Sequence, residues 1–326
     1  MSGRKVLLYF AWDRRGETLA PLTTIDDRFP AVFELRRLFY PKFEDLAGTE
    51  GVDQGIAGFL DHIQKPNFAA FAELAQSLTG HAAIEVERVG DDGVEIPLDA
   101  ALIGDADTLV VISFDSLRTD QKASDLEVAA IRRFLEDPDH VLFLCPHHDI
   151  GEALEVVTER RGQWREAEHN HHGDRGIPPR QGFGGFARAL LADLGAPVEN
   201  RFGLRPAVLA DGSPAPIEVD RALDVLGLLE GVETFNLHPH LPQLERLGEG
   251  VARMDVLARQ GLDLTAPPHP ALEKGHKSFD SLLQSRPEVF GGTLLVCDTT
   301  LFSSTAGGLD SLRRFWSNLL LRAKRT

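Results

Sequence analysis

The stretch from Thr108 to Cys145 constrains the fold most, because it has the pattern of a strand, a helix and a second strand. The segments TLVVISF and HVLFLC are apolar throughout, which is typical of strands in a sheet that is covered on both faces. Between them, DLEVAAIRRFLED has the spacing of an amphipathic helix with Leu126, Ala130 and Phe134 on one face. The sequence therefore predicts a βαβ unit with parallel strands and a right-handed crossover.

Further segments extend this alternation along the chain. KVLLYFA and GGTLLVC predict buried strands, and VETFNL and RMDVLA predict shorter ones. NFAAFAELAQSLTG, GFARALLADLG and GLDSLRRFWSNLLLRA predict helices. Because no repeat or linker divides the chain, we expect a single α/β domain over residues 1–326. The expected architecture is a doubly wound, mostly parallel sheet in a flavodoxin-like three-layer sandwich.

One polar segment, around residues 158–182, interrupts the alternation. Its sequence, TERRGQWREAEHNHHGDRGIPPRQG, is strongly polar and becomes rich in glycine and proline. A segment with so few apolar residues offers little to a core. We therefore expect a long polar loop here.

The charge of the chain limits its partners. The formal net charge is −16, which would repel nucleic acid and anionic membranes at long range. The two cysteines give no disulfide framework, and the first residues resemble a strand rather than a signal peptide. We expect a cytoplasmic protein that binds a small molecule and neither nucleic acid nor membrane. Whether it forms a homo-oligomer stays open.

Polar residues follow several of the predicted strands. In open parallel sheets, ligands bind beyond the carboxyl ends of the strands, so residues there are candidates for substrate contact. The candidates for substrate binding are Trp12, Asp13, Asp115, His147, His148, Asp149, His240 and Asp298.

The stretch VLFLCPHHDIG resembles the nucleophile segment of class I glutamine amidotransferases. In that family an apolar strand ends in a cysteine and a histidine lies three positions later, which here match Cys145 and His148. TFNLHPHLP is similar to the family's F-H-P-E motif, so the resemblance implies that Cys145 is the nucleophile and His238 its base. His240 stands where the family has its orienting glutamate. Pro146 follows the cysteine and has no backbone N–H for an oxyanion hole.

The closing segment, GGTLLVCDTTLFSSTAGGLDSLRRFWSNLL, resembles non-glutaminase members of the same superfamily. These include trehalose-utilisation-like proteins and the domain named after intraflagellar transport proteins. The resemblance implies a cleft rich in cysteine and histidine that acts on or binds a small polar or carbohydrate-like molecule. The resemblance leaves open whether the protein is an enzyme. If it is one, the resemblance implies a hydrolase with a cysteine nucleophile that is not a true glutaminase.

Two alternatives remain open at this point. One is a non-catalytic module that binds a ligand or partner on the same fold. The other is a metal-dependent hydrolase, because neutral imidazoles beside a carboxylate suit a transition metal such as zinc. In that case His147, His148 and Asp149 are the candidate ligands. Otherwise no cofactor is predicted.

Overall fold

The computed structural model describes residues 3–18, 65–116, 119–151, 158–172, 180–272, 275–304 and 309–324. Statements about structure below refer to these ranges. No helix within them is both long enough and apolar enough to span a bilayer.

An eight-stranded sheet forms the centre of the fold. Its strands, numbered in chain order, are β1 (Val6–Asp13), β2 (Ile84–Val89), β3 (Thr108–Ser113), β4 (Val141–Pro146), β5 (Glu218–Val219), β6 (Met254–Gly261), β7 (Ser278–Ser285) and β8 (Thr293–Cys297). They lie in the order β2-β1-β3-β4-β8-β7-β6-β5. Neighbours from β2 to β8 pair in parallel, and β7, β6 and β5 continue the sheet with antiparallel pairs. The expected α/β fold with a mostly parallel sheet is confirmed.

Helices and short strand pairs complete the described part of the chain. The helices are α1 (Arg14–Thr18), α2 (Pro66–Thr79), α3 (Ala100–Ile103), α4 (Asp125–Phe134), α5 (Thr158–His172), α6 (Gly185–Asp193), α7 (Gly250–Arg253), α8 (Thr299–Phe302) and α9 (Leu309–Leu321). Two-residue strands pair as Leu241–Pro242 with Gly203–Leu204, Glu245–Arg246 with Val198–Glu199, and Ile150–Gly151 with Arg180–Gln181.

Both faces of the central strands β1, β3, β4 and β8 are buried, because successive strand side chains point to opposite faces and helices cover each of them. On one face, Phe71 of α2 and Trp316 of α9 pack in the same core cluster as Phe143 of β4. On the other face, Ile131 of α4 and Leu190 of α6 pack in a second cluster. Each such fully buried apolar side chain contributes roughly 1.5 to 3 kcal/mol to folding. The two clusters fix the sheet and therefore the positions of its strand ends.

The predicted inner face of α4 is correct at Phe134 and wrong at Leu126. Leu126 is 78% exposed, whereas Glu127, Ile131 and Phe134 are buried. Glu127 is tolerated inside because its carboxylate accepts hydrogen bonds from Arg88, from the Leu98 N–H at 2.8 Å and from the Ser124 N–H at 2.7 Å. A buried charge needs such partners, and apolar periodicity does not reveal them.

The polar segment around residues 158–182 is not a loop throughout, because α5 occupies residues 158–172. Trp164, Glu168 and His171 lie on its inner face at helical spacing. His269 Nε2 lies 3.1 Å from Glu168 Oε1, and the His269 ring stacks on Phe202. On the inner face of α5, paired polar side chains therefore occupy positions where an amphipathic helix usually has apolar ones. Residues 173–179 of the predicted loop lie outside the described ranges.

Two further differences concern the second half of the chain. The predicted strand VETFNL, residues 232–237, is irregular in the structure. Conversely, β7 was not predicted, although it lies between β8 and β6 in the sheet. Within the antiparallel extension of the sheet, strand patterning therefore predicted β6 from RMDVLA but missed β7.

Candidate functional site

The ends of two adjacent parallel strands bring the central residues of the site together. β4 and β8 are paired in register, with Leu144 opposite Val296. The residues directly after these strands, His147 and His148 on one side and Asp298 on the other, therefore meet at the same edge of the sheet. His148 and Asp298 are 150 residues apart in sequence.

His148 and Asp298 form a buried pair. His148 Nδ1 lies 3.2 Å from Asp298 Oδ2 and 3.3 Å from Oδ1, and the two side chains are 2% and 1% exposed. Burial alone would raise the pKa of Asp298, but the charge and hydrogen bond of His148 and the N–H of Thr300 lower it to about 2. Asp298 is therefore a carboxylate at neutral pH. It can accept a hydrogen bond from the Nδ1–H group of His148.

The other ring nitrogen of His148 has no hydrogen-bond partner in the part of the chain that the structure describes. Nε2 is buried and makes no hydrogen bond to any described residue. A buried polar atom without a partner costs about 1 to 3 kcal/mol, so it needs an explanation. The rings of His147 and His240 flank that of His148, with centroids 4.4 and 4.7 Å away. The unsatisfied nitrogen thus lies within a cluster of three imidazoles.

His147 is held as a neutral ring. Burial and the neighbouring charge of His148 lower its pKa to about 3. Its Nδ1 lies 2.8 Å from the carbonyl oxygen of His148, and its ring packs edge-on against Phe114. These contacts orient the ring and keep it from carrying a proton at neutral pH.

Two residues that the sequence analysis missed hold this cluster in place. Asn200 donates to Asp298 Oδ2 at 2.7 Å and to the Pro146 carbonyl at 3.0 Å. Arg188 of α6 donates to Asn200 Oδ1 at 2.8 Å and to Asp149 Oδ1 at 3.0 Å. Asp149 also accepts the Phe183 N–H. Asp149 is therefore engaged in positioning the segment after β4. In the sequence, the only sign of this network was Arg188, a charged residue within the predicted helix GFARALLADLG. No sequence pattern indicated Asn200.

Asp115 lies at the start of α6 rather than in the imidazole cluster. Its Oδ2 accepts the Phe186 N–H at 2.9 Å, and Ser113 Oγ donates to its Oδ1. Burial raises its pKa to about 6 despite these hydrogen bonds. Gly184 precedes the helix at φ 70°, and a Cβ there would lie 2.7 Å from the His147 carbonyl oxygen. The glycine lets α6 approach the strand end closely.

His238 and His240 extend the cluster toward β6. The ring centroids of the two residues are 6.2 Å apart, and His238 Nδ1 contacts the His240 carbonyl oxygen. Burial lowers the pKa of His238. A Cβ at position 203 would lie 1.7 Å from His240 Nε2, so only glycine leaves room for that ring.

Cys145 does not lie with these histidines as a displayed nucleophile. Its side chain is 0% exposed, and its Sγ lies 3.8 Å from Sγ of Cys297 on β8. It is a residue of β4 itself, with Pro146 as the last residue of the strand, and no helix follows directly. Among the described residues, no imidazole hydrogen-bonds to this sulfur. The structure therefore does not place this sulfur beside His238, the base that the resemblance implies.

Trp12 and Asp13 lie at the end of β1 and take structural partners. The Trp12 indole donates to Glu87 Oε2 at 2.9 Å and stacks on Phe10, and Asp13 Oδ1 accepts the Gly16 N–H at 2.7 Å. Asp13 also lines an open cavity of about 370 Å³. The structure therefore does not bring these two residues into the imidazole cluster.

The residues present do not form a recognisable metal centre. Within the described ranges, no group of three or more His, Cys, Asp or Glu side chains has an arrangement that could hold a metal ion. Of the three candidate ligands, Asp149 is bound to Arg188 and His147 Nδ1 to a carbonyl. The zinc alternative stays a prediction.

Comparisons with known proteins add little to this description. No family model and no curated protein matches the chain. Among solved structures, one match is the crystal structure of Agd3, a novel carbohydrate deacetylase, with a TM-score of 0.39 and 9% identity over 99% of this chain and 33% of that chain. The chain thus spans about a third of the length of that protein. At this similarity, the match assigns neither an activity nor a ligand.

Proposed function

We propose that the protein binds a small polar or carbohydrate-like molecule at the carboxyl ends of its parallel strands, with His148 as the contacting residue. In this proposal Asp298 holds the His148 ring, and His148 acts as a general base on the bound molecule or on a water beside it. The observation that carries the proposal is the buried Nε2 of His148, which has no hydrogen-bond partner among the described residues. The other nitrogen of the same ring, Nδ1, faces the Asp298 carboxylate.

The chemistry follows from the two ring nitrogens. When Nδ1 of a neutral imidazole donates to a carboxylate, the lone pair is on Nε2. That nitrogen can accept a hydrogen bond from a ligand hydroxyl or amide, or take a proton from it during reaction. The carboxylate then stabilises the imidazolium that forms, as in other histidine–aspartate pairs. Binding to a ligand would also remove the cost of leaving Nε2 unsatisfied.

We further propose that the chain is a non-glutaminase relative of the class I glutamine amidotransferases with a doubly wound, flavodoxin-like sheet. The order of the parallel strands supports this, because β2-β1-β3-β4-β8 corresponds to the order 2-1-3-4-5 of flavodoxin-like sheets. The setting of Cys145 supports the non-glutaminase part, because its Sγ lies 3.8 Å from Sγ of Cys297 and no described imidazole hydrogen-bonds to it, whereas a cysteine nucleophile needs an adjacent base.

A binding screen with matched variants tests the proposal. Wild-type protein is titrated with glucose and N-acetylglucosamine, and binding is followed by protein-detected NMR. We expect at least one of these compounds to bind. His148→Gln should weaken that binding about tenfold, because a buried hydrogen bond is lost. His81→Gln, at the amino end of β2 and therefore at the opposite edge of the sheet, should leave it unchanged.

The base role is tested separately from binding. Asp298→Asn should bind the same compound within a few-fold but should abolish any product formation that wild-type protein shows by mass spectrometry. Binding that is equal in wild type and His148→Gln would refute the site. Binding without product in wild type would refute the base role and leave a binding module.

A further inference from the structure

A second cavity lies beside the imidazole cluster, at the carboxyl end of β6. It has a volume of about 80 Å³, which is room for more than one water molecule. Because β6 runs in the same direction as β8, its carboxyl end is at the same edge of the sheet as Asp298. The cavity has apolar walls that include Pro206 and Pro239, and its polar lining includes Arg205, His238 and Gln260.

Gln260 is the residue that points to a ligand. Its side chain is 6% exposed, and its buried Oε1 has no hydrogen-bond partner among the described residues. A buried amide oxygen without a partner costs free energy, whereas an apolar side chain of similar length at this position would not. The polar group therefore needs a donor from outside the described chain, and the cavity gives that donor room.

His238 adds a second acceptor to the cavity. Its Nδ1 lies 2.5 Å from the His240 carbonyl oxygen and 3.3 Å from the His240 backbone nitrogen. The shorter contact assigns the proton to Nδ1 and leaves the lone pair on Nε2. Arg205 supplies a cationic donor at the rim, where its side chain is 38% exposed and its Nη1 lies 3.8 Å from Asp263 Oδ2. The cavity thus offers two acceptors and a guanidinium donor between proline walls.

We propose that this cavity is a subsite for a neutral group with two hydrogen-bond donors, received by Gln260 Oε1 and His238 Nε2. A primary amide and a pair of neighbouring hydroxyls share this chemistry, and either also has an oxygen for Arg205. The proposal deepens the proposed function and rests on it for one point. The ring of His240 neighbours those of both His238 and His148, with centroids 6.2 and 4.7 Å away, so one ligand could reach both the subsite and His148.

Fragment binding in solution tests the subsite by itself. Propionamide and propane-1,2-diol are titrated into the protein, and N,N-dimethylpropionamide, which has no donor, serves as the control ligand. We expect propionamide or the diol to bind, and whichever binds identifies the source of the donors. The dimethyl compound should not bind. Gln260→Met should weaken binding about fivefold, because the acceptor is lost while the volume is kept.

One more variant separates the possible outcomes. Gln284→Met is the matched control, since Gln284 is also a buried glutamine but lies beside the amino end of β6 and does not line the cavity. It should leave fragment binding unchanged. The subsite is refuted if neither fragment binds, if the dimethyl compound binds equally, or if Gln260→Met has no effect. None of these results bears on ligand contact by His148.

Discussion

Replacement of Asp115 by asparagine should change how the stability of the protein depends on pH. Burial raises the pKa of Asp115 to about 6 from an ordinary value of 3.8. Because the folded-state pKa is raised, the protonated carboxyl stabilises the folded state relative to the unfolded state. This contribution to the free energy of unfolding is fully present below pH 3.8 and is lost as the pH rises through about 6. The difference between the two values corresponds to about 3 kcal/mol. Asparagine mimics the protonated acid, so Asp115→Asn should remove this loss.

Urea unfolding of wild type and variant between pH 4 and pH 7 measures the effect. The two free energies of unfolding should be similar near pH 4, and the variant should be more stable by about 3 kcal/mol near pH 7. Asp298 and Glu87 have pKa values lowered to about 2, so their contributions are lost only at more acidic pH. If the free energies of unfolding of wild type and variant depend on pH in the same way, or if the variant is less stable near pH 7, the raised pKa of Asp115 is refuted. Ligand binding should be unaffected, because Asp115 contacts α6 and not the imidazole cluster.

Two other predictions concern the support of the site. Asn200→Ala should lower the free energy of unfolding by about 2 to 3 kcal/mol, because it removes hydrogen bonds to Asp298, Pro146 and Arg188 in a buried setting. A loss below about 0.5 kcal/mol in urea unfolding would show that this network is not needed. Cys145 and Cys297 should resist a thiol reagent in the folded protein at neutral pH and react fully in denaturant, since both are completely buried. Fast labelling of Cys145 in the folded protein would contradict this prediction and would support a role for Cys145 as a nucleophile.

The parallel half of the sheet could be predicted because its strands are buried on both faces. Such strands are continuous apolar runs, and TLVVIS and VLFLC are recognisable without any neighbour. The inner faces of α4 and α5 could not be predicted in the same way. Glu127 and Glu168 are buried with partners that lie far away in sequence, Arg88 and His269. Apolar spacing carries no information about such pairs.

The candidate site was predicted in position and, in part, in composition. The rule that ligands bind beyond strand ends led to His148 and Asp298, which the structure brings together. The pairing itself depends on β4 and β8 being neighbours, which is a property of the sheet order and not of either segment. Asn200 and Gln260 stand out only through the groups around them, because neither belongs to a recognisable motif.

The most direct test of the central claim is the protonation of the two ring nitrogens of His148. Protein labelled with ¹⁵N-histidine can be assigned with His148→Gln and examined by long-range ¹H–¹⁵N NMR. The account predicts that in the neutral ring Nδ1 carries the proton, toward Asp298, and that the Nε2 resonance shifts when a ligand binds. A proton on Nε2, or an Nε2 resonance that no bound ligand changes, would contradict the account.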